Sequence, residues 1–142
     1  MKIWRIVLLP LLLLALTSSM APAQAAAVRA VKKKVLLDYS RQGGFAGFDD
    51  RVIVYDNYCV RLSRRTGPTI DKCLTAMEQR TLRKHLKGLV LGRSEAPPAG
   101  ADFIKYTLVH KKQRVTRYTL PASWQPVVQE LDKIMQKYWA PD

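Results

Sequence analysis

Hydrophobic positions along the chain pass twice from a period of two to the helical period. From Val31 to Ser40, apolar Val35, Leu37 and Tyr39 fall at every second position, the pattern of a strand with one buried face. Arg51-Val52-Ile53-Val54-Tyr55 is β-branched and aromatic, Asp56-Asn57 marks a turn, and Cys59-Val60-Arg61-Leu62-Ser63 continues beyond it, which predicts a hairpin. Thr66-Gly67-Pro68 breaks the pattern. Thr75 then stands three residues before Glu78, the spacing at which hydroxyl and carboxylate satisfy each other's helix-end amides. Met77, Leu82, Leu86 and Leu89 follow as one apolar stripe, with Gly88 or Gly92 as the stop. Ser94 to Ala101, with two prolines and Gly100, reads as a surface loop.

A second alternating pair comes next. Asp102 to His110 places Ile104, Tyr106 and Leu108 on one face, His110-Lys111-Lys112-Gln113 turns the chain, and Arg114 to Leu120 returns. Ser123 is the expected cap of a last helix that tolerates Pro126 in its first turn. Val127, Leu131, Ile134 and Tyr138 form its stripe, widened by Val128 and Met135. The order is strand, hairpin, helix, hairpin, helix. Two helices with one apolar stripe each must cover a sheet with one apolar face. The expected fold is therefore α+β, an antiparallel sheet of about five strands under two amphipathic helices, in a single domain over residues 31–140.

The chain's start changes the picture of where this domain works. Lys2 and Arg5 precede an apolar run from Ile6 to Leu16, and small residues lead to Ala23-Gln24-Ala25, the pattern of a cleaved export signal over residues 1–25. Ala23 and Ala27 offer alternative cleavage points, and residues 26–30 read as a flexible lead. Pro10 and the shortness of the run argue against a retained span, so no stable membrane span is expected after cleavage. The expected destination is the periplasm or the cell exterior. There, Cys59 and Cys73 are expected to form a disulfide. A loop of about 15 residues closed this way contributes about 3 kcal/mol on a chain-entropy model.

Charge adds a second constraint. The full chain has 24 basic and 11 acidic residues, and loss of Lys2 and Arg5 with the leader leaves about +11. Such a balance favours anionic surroundings, including lipid headgroups and envelope polymers. No recognised nucleic-acid motif accompanies the basic residues, so nucleic acid is not an expected partner.

Catalytic patterns are scarce. His85 and His110 are the two histidines, there is no H-E-x-x-H, and with the cysteines paired no metal site or cofactor is expected. Both histidines read as surface residues. Asp49 and Asp50 are adjacent, so in a strand they point to opposite faces, unlike a catalytic carboxylate pair, and they are better read as closing a turn beside Arg51. Ser40 and Ser123 lack a nucleophile setting. The expectation is a protein without enzymatic activity.

The remaining feature is Gly43-Gly44-Phe45-Ala46-Gly47, which holds three of the chain's seven glycines. It lacks the lysine and helix start of a phosphate loop. Glycine inside strand-like sequence usually bends the chain, so the first reading is structural: the glycines shape a turn and aim Phe45 into the core, with Phe48 doing likewise on the other side. A strand ending in Ser40-Arg41-Gln42 and entering GGFAG also resembles the emfourin family, small protein inhibitors of thermolysin-like metallopeptidases of the protealysin group. The similarity continues through the hairpin, the leucine-bearing helix, Asp102-Phe103-Ile104-Lys105-Tyr106 and the Thr119-Leu120-Pro121 link, roughly Val31 to Ile134.

The resemblance implies an inhibitor that places a well-held segment in the cleft of such a peptidase. Peptidases of that class accept an extended backbone beside their zinc and prefer a large apolar side chain just after the scissile bond. The glycine loop with Phe45, the N-terminal lead and the Ser94–Ala101 loop are the three candidate segments. The export signal, the cysteine pair and the high positive charge depart from the family pattern. The alternative expectation is a basic envelope-associated binding module for anionic lipid or polymer.

Overall fold

A computed structural model describes residues 33–100 and 102–139. The signal segment and the lead predicted from the sequence lie outside these residues. Eight elements follow in order: β1 (Val35–Gly43), β2 (Phe48–Tyr55), β3 (Cys59–Ser63), β4 (Ile70–Cys73), α1 (Ala76–Lys87), β5 (Ile104–His110), β6 (Gln113–Arg117) and α2 (Gln125–Trp139). The strands form one antiparallel sheet in the order β4-β3-β2-β1-β5-β6. The fold is α+β, as the hydrophobic pattern predicts.

Alternation decides which face of the sheet is covered. Leu37, Tyr39, Val52, Val54, Val60, Leu62, Leu108 and Val115 turn to one side and are buried. Leu82 of α1 and Val127, Val128, Leu131, Ile134 and Met135 of α2 close over them. The opposite face carries polar side chains, among them the ion pairs Arg51–Asp38 at 2.7 Å and Arg61–Asp71 at 2.9 Å. Trp124 is fully buried just before α2, and its indole N–H donates to the carbonyls of Val90 and Leu91 at 3.1 and 3.2 Å. That clamp holds the loop between α1 and β5 against the core.

Five expectations are corrected. The sheet has six strands, because Ile70–Cys73 returns along β3 as an edge strand too short and too polar to show a pattern. Val35 is exposed rather than paired with Leu37 and Tyr39 in the core, because a bulge between Val35 and Leu37 shifts the register. Met77 leaves the α1 stripe and is exposed. Ser123 does not cap α2, since its hydroxyl donates to the Val90 carbonyl at 2.9 Å. His110 is buried rather than superficial, with Nδ1 at 2.9 Å from the Leu36 carbonyl.

The predicted capping box is present. Glu78 N–H donates to the Thr75 hydroxyl at 3.3 Å, and the Thr75 amide donates to the Glu78 carboxylate at 2.8 Å. Cys59 and Cys73 face each other across β3 and β4 and are bonded.

Candidate functional site

The five residues from Gly43 to Gly47 make the turn between β1 and β2. Gly43 still pairs with Phe48 and with Ile104, so the turn begins directly at the end of a central strand. Gly47 N–H donates to the Gly44 carbonyl at 2.9 Å, and Gly44 N–H donates to the Phe103 carbonyl at 3.1 Å. The loop is thus tied both to itself and to the segment that leads into β5. Gly43 and Gly44 have φ of 87° and 71°, in the left-handed region that L side chains avoid. Space is equally restrictive, since a Cβ at Gly43 falls 2.7 Å from the Phe103 carbonyl oxygen and one at Gly44 falls 2.7 Å from Ile104 Cγ1.

The same geometry corrects the expected direction of Phe45. Its side chain is 97% exposed, the largest exposure among the large apolar residues described. The glycines do shape the turn, but they aim the ring at solvent. Phe48 is half-buried and lies under the Arg41 guanidinium at 4.2 Å from its ring centre. Phe103, whose carbonyl anchors the loop, is itself 42% exposed, so this end of the sheet presents two phenyl rings.

Beneath the turn lies a polar cluster. Arg41 pairs with Asp50 at 2.6 Å and approaches Asp132 of α2 at 3.7 Å, while Arg64 reaches Asp50 at 3.6 Å. Asp50 is buried and Asp49 exposed, so the two carboxylates point to opposite faces within β2 instead of closing a turn. Burial opposes the charge on Arg41, yet Asp50 and Asp132 hold its affinity for the proton above the ordinary value. Burial pushes the Asp132 carboxyl up, with Asp50 adding to the effect and Arg41 opposing it. Burial, with the Asp132 charge, also holds the Tyr39 phenol well above its usual range, and the hydroxyl has no hydrogen-bond partner among the described residues. A shallow basin of about 310 Å³ opens beside the turn, lined in part by Arg41, Phe48, Arg64, Arg65 and Trp139. The sequence marks Phe103 only through the family resemblance and Arg64 and Arg65 only as basic residues, and it gives Trp139 no role. Phe103, the Arg64-Arg65 pair and Trp139 lie far apart along the chain, and only the folded arrangement of the sheet and α2 brings them to this end.

The arrangement can present one bare aromatic ring on a stiff turn. It does not assemble a nucleophile with a base, and among the described residues no three His, Cys, Asp or Glu side chains converge on one point. Of the other candidate segments, the N-terminal lead lies outside the described residues. The loop from Ser94 runs along β6, where Glu95 N–H donates to the Thr116 carbonyl at 2.8 Å and Thr116 N–H donates to the Ser94 hydroxyl at 3.1 Å. No helix among the described residues is long and apolar enough to cross a membrane. No protein-family model matches the chain, and no curated protein matches it.

Proposed function

We propose that the chain is an exported, non-enzymatic inhibitor of a thermolysin-like metallopeptidase and that Phe45 is its anchor. One observation carries this reading: a phenyl ring 97% exposed at the tip of a turn whose backbone is hydrogen-bonded on both sides. A large apolar ring left in water is costly to keep there, and seating it in a partner's apolar pocket recovers about 2 kcal/mol. The turn supplies order in advance, so little conformational freedom is lost on association.

The same turn explains how the segment resists cleavage. A scissile peptide must lie extended in the cleft, whereas Gly44 and Gly47 are locked into a reverse turn by their mutual hydrogen bond. Phe45 enters the subsite that follows the scissile bond while its own backbone is held out of the attack geometry. The disulfide between β3 and β4 is compatible with an exported setting.

The test is a titration of the purified protein against a thermolysin-like peptidase hydrolysing a small chromogenic peptide. Near-stoichiometric inhibition is expected, and Phe45→Ala is expected to raise the inhibition constant roughly thirtyfold, the equivalent of about 2 kcal/mol. A wild-type protein that leaves such peptidases untouched overturns the function. Equal inhibition by the Phe45→Ala variant overturns the anchor.

A further inference from the structure

The opposite end of the sheet is built differently. Strands β5 and β6 are joined by Lys111 and Lys112 alone, and both have positive φ, 50° and 68°. A two-residue loop of this kind belongs to the class where Asn-Gly is strongly preferred, because L side chains there are strained. Two successive lysines are an expensive choice for a hairpin, and strain of this kind concentrates at sites that do something besides folding. The turn also stands among other unpaired cations. Lys34, Lys111 and Lys112 rim a cavity of about 430 Å³ with Val35 and Leu36 in its wall, and Lys87 and Lys111 rim a second of about 370 Å³ with Leu86, Leu89 and Leu91. His110 and Lys111 border both, so the two hollows are neighbours on this end of the sheet.

Carboxylates are nearly absent from this surface. Asp56 is the one acid lining either cavity, and none of Lys34, Lys87, Lys111 or Lys112 has a carboxylate within ion-pair distance among the described residues. Apolar groups are left open between the cations, with Val35 48% exposed in the first cavity. A soluble polyanion would use the charges and gain nothing from the open apolar wall. An anionic bilayer uses both, with headgroup phosphates on the lysines and Val35 dipping into the interface.

We propose that the Lys111–Lys112 end is a docking surface for anionic lipid membranes. The site is separate from Phe45, at the other end of β1, and it stands whether or not the chain inhibits a peptidase. Each lysine near such a surface strengthens partitioning about fivefold, and the attraction fades with added salt.

The decisive variant is Lys111→Asn with Lys112→Gly. It removes both charges and installs the residues the turn prefers, so Tm is expected to rise while binding falls. The measurement is co-sedimentation of the processed protein with vesicles of phosphatidylglycerol and phosphatidylcholine, against phosphatidylcholine alone. Expected results are retention only on the anionic vesicles, steep loss with sodium chloride, and roughly twenty- to thirtyfold weaker partitioning of the double variant. Lys105→Asn with Lys133→Asn, an equal charge change away from this end, is expected to weaken partitioning only slightly. Equal loss in both variants overturns the site, since net charge alone would then explain binding. Absent retention overturns it as well, and so does release by inorganic phosphate at constant ionic strength, which would make the ligand a free anion. Retention on polyphosphate beads without retention on vesicles assigns the patch to a soluble polymer and overturns the lipid proposal.

Discussion

At the level of single residues, neighbouring positions in the first turn carry opposite burdens. Gly44 is a folding residue: its φ of 71° and the closeness of Ile104 leave no room for a side chain. Gly44→Ala is therefore expected to cost about 1–3 kcal/mol, read as a lower Tm. Phe45, one position later, touches almost nothing in its own chain, and Phe45→Ala should shift stability by less than about 0.5 kcal/mol while weakening inhibition. Similar losses of stability in both variants would mean that Phe45 packs after all. Glu78 concentrates a third effect. Burial alone would raise its pKa, but Lys137 at 2.8 Å, the Thr75 amide at 2.8 Å and the Tyr138 hydroxyl at 2.9 Å lower it to about 2. A carboxylate depressed on folding stabilises above its unfolded pKa near 4.5, and that contribution is lost as pH falls toward about 2. Glu78→Gln is expected to lower stability at neutral pH by about 1–3 kcal/mol and to flatten the acid side of the stability curve over that window. An unchanged acid limb in urea melts at successive pH values would rule this out.

At the level of elements, legibility followed the strength of the periodicity. Strand β3 matched its predicted bounds, and α1 followed its capping box, because a single face decides burial in each. Strand β4 escaped notice because Ile70-Asp71-Lys72-Cys73 has one half-buried residue and gains its place from pairing with β3, a non-local cause. The direction of Phe45 was equally hidden. Glycine composition announces a turn but not which way the ring leaves it, and that depends on Phe103, which arrives from the distant segment leading into β5. The disulfide was legible from spacing and compartment, although its partner strand was not. It staples the short edge strand that the hydrophobic core holds least, since Ile70 alone in β4 packs against buried residues. Replacing both cysteines by serine is expected to cost about 3 kcal/mol and to expose the β4 amides to hydrogen exchange first. Uniform loss of protection across all six strands would show instead that β4 unfolds only with the whole sheet.

At the level of the whole molecule, β1 separates two unlike ends. Its last residue, Gly43, opens the aromatic turn, while Leu37 pairs with His110 at the lysine turn. Six residues of strand rise about 3.3 Å each, so the two turns stand roughly 20 Å apart. That separation exceeds the screening length of about 8 Å at physiological ionic strength, so charge at one end barely influences binding at the other. A protein lying on an anionic bilayer through Lys111 and Lys112 therefore holds Phe45 toward the aqueous side, at a height where a peptidase can meet it. The expected outcome is additivity: vesicles that capture the protein leave its inhibition constant within about twofold, and Phe45→Ala leaves vesicle partitioning unchanged. The Lys111→Asn, Lys112→Gly variant is correspondingly expected to inhibit normally while remaining in the supernatant. The assay is inhibition measured with and without phosphatidylglycerol vesicles at fixed peptidase concentration. Strong loss of inhibition on the vesicles would place the two surfaces in competition, and the lipid and the peptidase would then have to share one face of the sheet's end rather than divide the molecule between them.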